Sequence, residues 1–153
     1  MTGQSKPRGS LVLKVIIVLL LGVLIYTIWE PFEIIRTEEQ QRTESRLRMA
    51  NLRNAQMFHF GEHQSYVKEL DSLITWIKTD SLVIEKRDSL FKPLTINYFE
   101  PDSLKRSPRS HREYILEVDD TSTTHRYYIE CPDGFGFVGD LDDVSQLHRA
   151  SWE

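Results

Sequence analysis

Residues 11–29 (LVLKVIIVLLLGVLIYTIW) form one apolar run that carries a single charge, Lys14. A bilayer core about 30 Å thick needs roughly 20 helical residues at ~1.5 Å each. A helix packed on a soluble core would show polar residues at helical spacing, and this run shows almost none. It predicts a transmembrane helix. A cleaved signal peptide fits less well. The apolar run exceeds the usual ~7–15 residues, no A-x-A-like site follows, and Trp29, Glu30 and Pro31 come next. No cysteine stands near the start for a lipoprotein signal. A retained anchor is expected.

Charge gives the orientation. Lys6 and Arg8 precede the run, Lys14 can reach back to the same interface, and no acid occurs before Glu30. The positive-inside rule places residues 1–10 in the cytoplasm and residues 30–153 on the far side. Beyond the run, 16 of the 19 Lys and Arg face all 23 Asp and Glu, an excess of seven negative charges. Such a part lacks the basic face a nucleic-acid partner requires.

Residues 30–153 suffice for one domain with a modest core. Cys131 is the single cysteine, so no internal disulfide can staple it. Its expected role is a small buried residue near a strand end. Residues 30–46 read as a polar helical stalk, with Glu38–Arg42 and Glu44–Arg48 as i,i+4 pairs on a solvated face. The stalk lacks the apolar a and d positions of a coiled coil. The domain proper is expected over 47–153.

Leu47, Met49, Ala50, Leu52, Ala55, Met57, Phe58 and Phe60 give the next turns an apolar face. A helix over 31–60 is predicted, ending at Gly61. Leu70, Leu73, Ile74 and Ile77 predict a second, amphipathic helix over 68–78 with Trp76 at its flank. With Leu52 they form the expected core. Asp-Ser-Leu recurs at 71–73, 80–82, 88–90 and 102–104, and the uneven spacing reads as compositional bias. Residues 79–112 read as an irregular connection with extended pieces at 82–85 and 94–98 and a basic tip at 105–112 (KRSPRSHR).

The end of the chain is β-rich. Residues 113–118 (EYILEV) and 126–131 (RYYIEC) flank the polar turn DDTSTT and predict a hairpin. Pro132-Asp133-Gly134 is a second turn signal, and residues 135–138 should pair back. The expected fold is α+β, with a membrane helix continuing into a long helix that covers a small antiparallel meander.

Two patterns bear on chemistry. His59-Phe60-Gly61-Glu62-His63 fits H-x-x-E-H, in which two imidazoles hold zinc and Glu acts as base. Gly61 weakens that turn and the domain has little room for a substrate cleft, so helix-end histidines are the plainer reading of His59 and His63. Asp133, Asp140, Asp142 and Asp143 lie near three glycines and are calcium candidates, although their spacing is not that of an EF-hand. No G-x-S-x-G context and no phosphate-binding glycine loop occurs. No catalytic residues and no cofactor are assigned.

The order of elements resembles type IV pilins and the pseudopilins of type II secretion. Those proteins are cut after a glycine before the apolar run, and here Gly9 is that glycine and Ser10 the new first residue. The fifth residue is then Lys14, where the family carries Glu. The family's helix-kinking proline falls on Pro31. Residues 46–74 resemble the passage from long helix into loop, with Ser65-Tyr66-Val67 where a Tyr-Pro pair is usual. The chain is also similar to a family of small bacterial membrane-anchored proteins with an R-L-x-x-x-R-x-A-Q-like helix and a terminal N-W-E. The matching residues are Arg46-Leu47, Arg53-Asn54-Ala55-Gln56 and Ser151-Trp152-Glu153. The pilin resemblance implies a bacterial inner-membrane protein with a periplasmic domain. Its partners would be the lipid bilayer and other envelope proteins or further copies of itself, and calcium near the C-terminus is known in that family. A bitopic scaffold of the cell-division type and a zinc hydrolase using His59, Glu62 and His63 are the readings from other classes.

Overall fold

The computed structural model describes residues 9–95, 98–121 and 123–153. The basic leader with Lys6 and Arg8 lies outside the described residues, apart from Gly9 and Ser10 in the first turn of α1. The chain divides into two units, Met1–Glu39 and Gln40–Glu153. Both draw on one helix, α1 (Gly9–His63), whose backbone stays helical through Pro31.

In the first unit the apolar side chains of residues 11–29 are bare on every side of the helix. Leu11 is 71% exposed, Leu20 60% and Trp29 67%. Phe32, Ile34 and Ile35 continue that exposure past Pro31.

The second unit is mixed helix and sheet. After α1 come α2 (Leu70–Thr79), α3 (Ser81–Glu85), α4 (Arg87–Leu90) and a 3₁₀ turn at Pro101–Lys105. The sheet follows, with β1 (Ile115–Asp119), β2 (Arg126–Glu130) and β3 (Phe137–Gly139) in the order β1-β2-β3, all antiparallel. The core joins Met49, Leu52 and Ala55 of α1, Leu73, Ile74 and Ile77 of α2, and Tyr127, Ile129 and Val138 of the sheet. Leu70, expected in the core, is half-buried at its margin. Met57, expected on the packed face, is 44% exposed.

Packing on α1 begins before the hydropathy pattern marks it. Glu44 and Ser45, read as stalk, are buried because they hydrogen-bond to the domain. The Glu44 carboxylate accepts from the Thr95 amide at 2.9 Å, from the Thr95 hydroxyl, and from Arg48 Nε at 2.9 Å. Arg48 donates onward to the carbonyls of Ser103 and Arg106. Asn51 pairs with both backbone groups of Lys92, and Asn54 Nδ2 donates to the Leu90 carbonyl. Gln56 does the same for both groups of Val67. Amide side chains thus stand in for a strand partner, which is how irregular backbone can lie against a buried helix face without orphaned polar groups.

Several local expectations are corrected. α1 runs past Gly61 to His63 and ends where Gln64 takes φ 56°. A tilted contact of His59 with His63 and edge-on contacts of both with Trp76 hold the last turn against the helix-weakening glycine. Residues 82–85 are helical, not extended, because the Asp80 carboxylate caps the amides of Leu82 and Val83 at 2.9 and 3.0 Å. Leu94 is buried but not in a strand, and the rest of that predicted piece includes residues 96–97, outside the described residues. The Asp-Ser-Leu recurrence is more than composition. Asp80 is an N-cap, and Asp71, Asp88 and Asp102 sit in the first turns of α2, α4 and the 3₁₀ segment. A carboxylate there meets unpaired amides and the positive end of the helix dipole. β3 starts two residues later than predicted because Cys131 and Gly136 close a turn, the Cys131 amide donating to the Gly136 carbonyl at 3.0 Å. Gly139 ends that strand at φ 83°, where a Cβ would stand 2.2 Å from the Tyr127 carbonyl oxygen.

Candidate functional site

The anchor is the first candidate. α1 is a helix long and apolar enough to cross a membrane, and none of its most apolar stretch is buried within the protein. Lys14 is the only charge among residues 11–29. Exposed Leu, Ile and Val side chains at every helical angle have no counterpart in a water-facing surface, where contiguous apolar patches stay small.

The zinc candidates meet each other but no third ligand among the described residues. The His59 and His63 rings lie 4.5 Å apart between centroids, and Trp76 stands edge-on to His59 at 4.8 Å. His59 Nδ1 is 2.7 Å from the Ser65 carbonyl oxygen, which fixes Nδ1 as the protonated nitrogen. Glu62 is exposed. The cluster does the work of an aromatic helix end.

The calcium candidates separate into different networks. Asp140 accepts from the amides of Asp142 and Asp143, and Asp143 caps Ser145. Asp133 instead turns to the 105–112 loop, where it accepts from Ser107 Oγ and the Ser110 amide and pairs with Arg112. Burial pushes the Asp133 carboxyl up, but the hydrogen bonds from Ser107, Ser110 and Arg112 outweigh it and hold it below the usual range. Among the described residues no group of three or more His, Cys, Asp or Glu is placed to hold a metal ion.

Asp133 closes a buried polar chain that the sequence did not reveal. Tyr114 Oη lies 2.9 Å from Ser45 Oγ, which donates to Cys131 Sγ at 3.2 Å. Cys131 in turn faces Ser107 Oγ at 3.9 Å. Ser45, Ser107, Cys131 and Tyr114 are all buried, and burial pushes the Tyr114 hydroxyl far up. Cys131 is buried in the core just past the end of β2, as expected, and its sulfur also lies between the Ser45 and Ser107 hydroxyl groups. The chain links α1, the basic loop and β2's end, and the Asp133 carboxylate at its far end is held by Ser107, the Ser110 amide and Arg112. It is a cross-brace.

A cleft of about 330 Å³ lies between the end of α1 and the hairpin turn, lined by Phe60, Tyr66, His125 and His148 among others. Tyr127 Oη is 3.2 Å from His148 Nδ1. Burial, with Arg53 nearby, pushes the His148 pKa down. His125 is taken up by Asp120, which Lys68 also pairs at 2.9 Å.

No family model, curated protein or solved structure matches the chain. The chain has a helix long and apolar enough to cross a membrane and a domain whose buried Glu44, Ser45, Asn51 and Gln56 are hydrogen-bonded.

Proposed function

We propose that the chain is a non-enzymatic, single-pass membrane protein whose Gln40–Glu153 unit acts as a structural or assembly component of a cell-envelope machine of the pseudopilus type. The observation that carries this reading is the bare apolar surface of residues 11–29. Burying one Leu, Ile or Val side chain is worth about 1.5–3 kcal/mol, and lipid is the environment that supplies that burial to a helix exposed all round. The leader then lies in the cytoplasm and the domain across the bacterial inner membrane. Support for the pilin-like layout comes from α1, whose residues 44–56 cover one face of an antiparallel meander.

The intact mass of the protein extracted from its membrane tests this. A chain beginning at Ser10 establishes prepilin-type processing and supports the pseudopilus role. A chain beginning at Met1 or Thr2 overturns the pseudopilus role and leaves a permanently anchored scaffold. A mature chain beginning beyond Trp29, recovered in the soluble fraction, overturns the anchor itself.

A further inference from the structure

The two edges of the sheet are treated differently. The outer edge of β3 is closed by the end of the chain. Gly139 donates to the Arg149 carbonyl at 3.0 Å, Ser151 donates to the Phe137 carbonyl at 2.9 Å, and Val138 bridges Ala150. Among the described residues the outer edge of β1 has no such backbone partner along its middle, and the nearest cover is the chain at the start of α2, from which Lys68 reaches Asp120 and Asp71 reaches Lys105 at its two ends.

Alternation shows which groups face outward there. The Tyr114 amide donates to the Lys105 carbonyl, on the side away from β2. Backbone groups alternate sides along a strand, so those of Leu116 and Val118 point the same way. The opposite strand agrees. The Cys131 amide points to Gly136 and away from β1, as the register Leu116↔Ile129 and Val118↔Tyr127 requires of unbonded pairs. Neither Leu116 nor Val118 has an outward backbone partner among the described residues. Their side chains lie on the core face yet are only half-buried. Ile115 and Glu117, on the other face, are exposed. Ion pairs bound the gap, Lys105 with Glu113 at 3.0 Å before it and Lys68 with Asp120 at 2.9 Å after it.

We propose that the outer edge of β1 is a strand-addition site for an extended segment of a partner protein in which apolar side chains alternate with Lys or Arg. The apolar residues would complete the cover of Leu116 and Val118, and the cations would face Glu117. A second copy of this strand fits poorly. The symmetric antiparallel register that engages both outward residues pairs Leu116 with Val118 and sets Glu117 directly against Glu117, and like charges in that position repel. The inference concerns the domain alone and stands whether or not residues 11–29 are retained.

The test is amide exchange on the full chain in detergent micelles, with a heptapeptide of alternating lysine and valine as probe. The expected result is slowing of the Leu116 and Val118 amides by about tenfold or more as peptide is added. Val118→Pro removes an outward N–H that an edge strand can spare, so it should keep the thermal melt and lose the peptide. Glu117→Lys lies on the exposed face and should weaken the lysine peptide while admitting a glutamate–valine one. Unchanged exchange with peptide, or binding of the lysine peptide by both variants as tight as by the parent, overturns the site. Slowing that grows with protein concentration and needs no peptide makes a second copy the occupant and overturns the partner assignment.

Discussion

Residues 11–29 and residues 44–60 belong to the same helix and have opposite surfaces. The first stretch is apolar at every angle and bare at every angle, with Leu20 and Leu21 still 60% and 53% exposed. In the second, Met49, Leu52, Ala55 and Gln56 are buried while Met57 looks outward. Backbone hydrogen bonding is satisfied equally in both, so helicity does not distinguish them. What differs is the environment each side-chain pattern demands. A stripe demands a packed domain, and an apolar cylinder demands a solvent as apolar as itself. The second stretch also shows that polarity does not mean exposure. Glu44, Ser45, Asn51 and Gln56 are buried because each meets a backbone or side-chain partner.

Substitutions that respect this division should act on one stretch and spare the other. Leu73→Asp places a charge in the packed core and should cost several kcal/mol. Loss of the cooperative melt is expected, with membrane attachment unchanged in a fractionation. Leu20→Asp should do the reverse. A carboxylate at the centre of a span costs about 2.5–3.5 kcal/mol on insertion scales, so the membrane-bound fraction should fall while the domain melts as before. Asn51→Ala leaves both backbone groups of Lys92 without partners and should cost about 1–3 kcal/mol, seen as a lower denaturation midpoint and faster amide exchange at Lys92. Asp80→Ala removes the cap of α3, at about 1 kcal/mol, and should read as a small drop in the same midpoint. The smallest effect is a pH dependence. His148 has a lowered pKa when folded, so the unfolded chain takes up its proton first. Its contribution to stability is complete above the ordinary histidine pKa and is lost as pH falls below it. His148→Gln should flatten that part of the stability–pH curve.

The larger elements were legible because their signals are periodic or unbroken. The Leu70–Ile77 stripe and the two strands of the hairpin repeat at the spacing their structure requires, and the 11–29 run stands out by its unbroken length of apolar residues around a single charge. The connection between α2 and β1 was not, because side chains distant in sequence hold it. Glu44 fixes Thr95 and Asn51 fixes Lys92, contacts that no local pattern announces. The repeated Asp-Ser-Leu was a local signal of helix starts, since Asp80 caps α3 and Asp71, Asp88 and Asp102 place a carboxylate in the first turns of α2, α4 and the 3₁₀ segment. The Ser45–Cys131–Ser107–Asp133 brace joins four places along the chain through single polar atoms. A lone serine or cysteine in a sequence carries no mark of such a partner. The open edge of β1 follows from register, which only the pairing with β2 defines.

The central claim is that one helix passes through two different surroundings. A spin-label scan of the full chain in lipid bilayers, with Cys131→Ser to leave one thiol per variant, measures this at each position through access to oxygen and to a water-soluble nickel chelate. The account predicts that positions 12–28 are open to oxygen and closed to the chelate at every helical angle. Positions 44–60 should instead alternate between buried and water-exposed with a period near 3.6 residues. A 3.6-residue alternation of buried and water-exposed sites across 12–28 would contradict it.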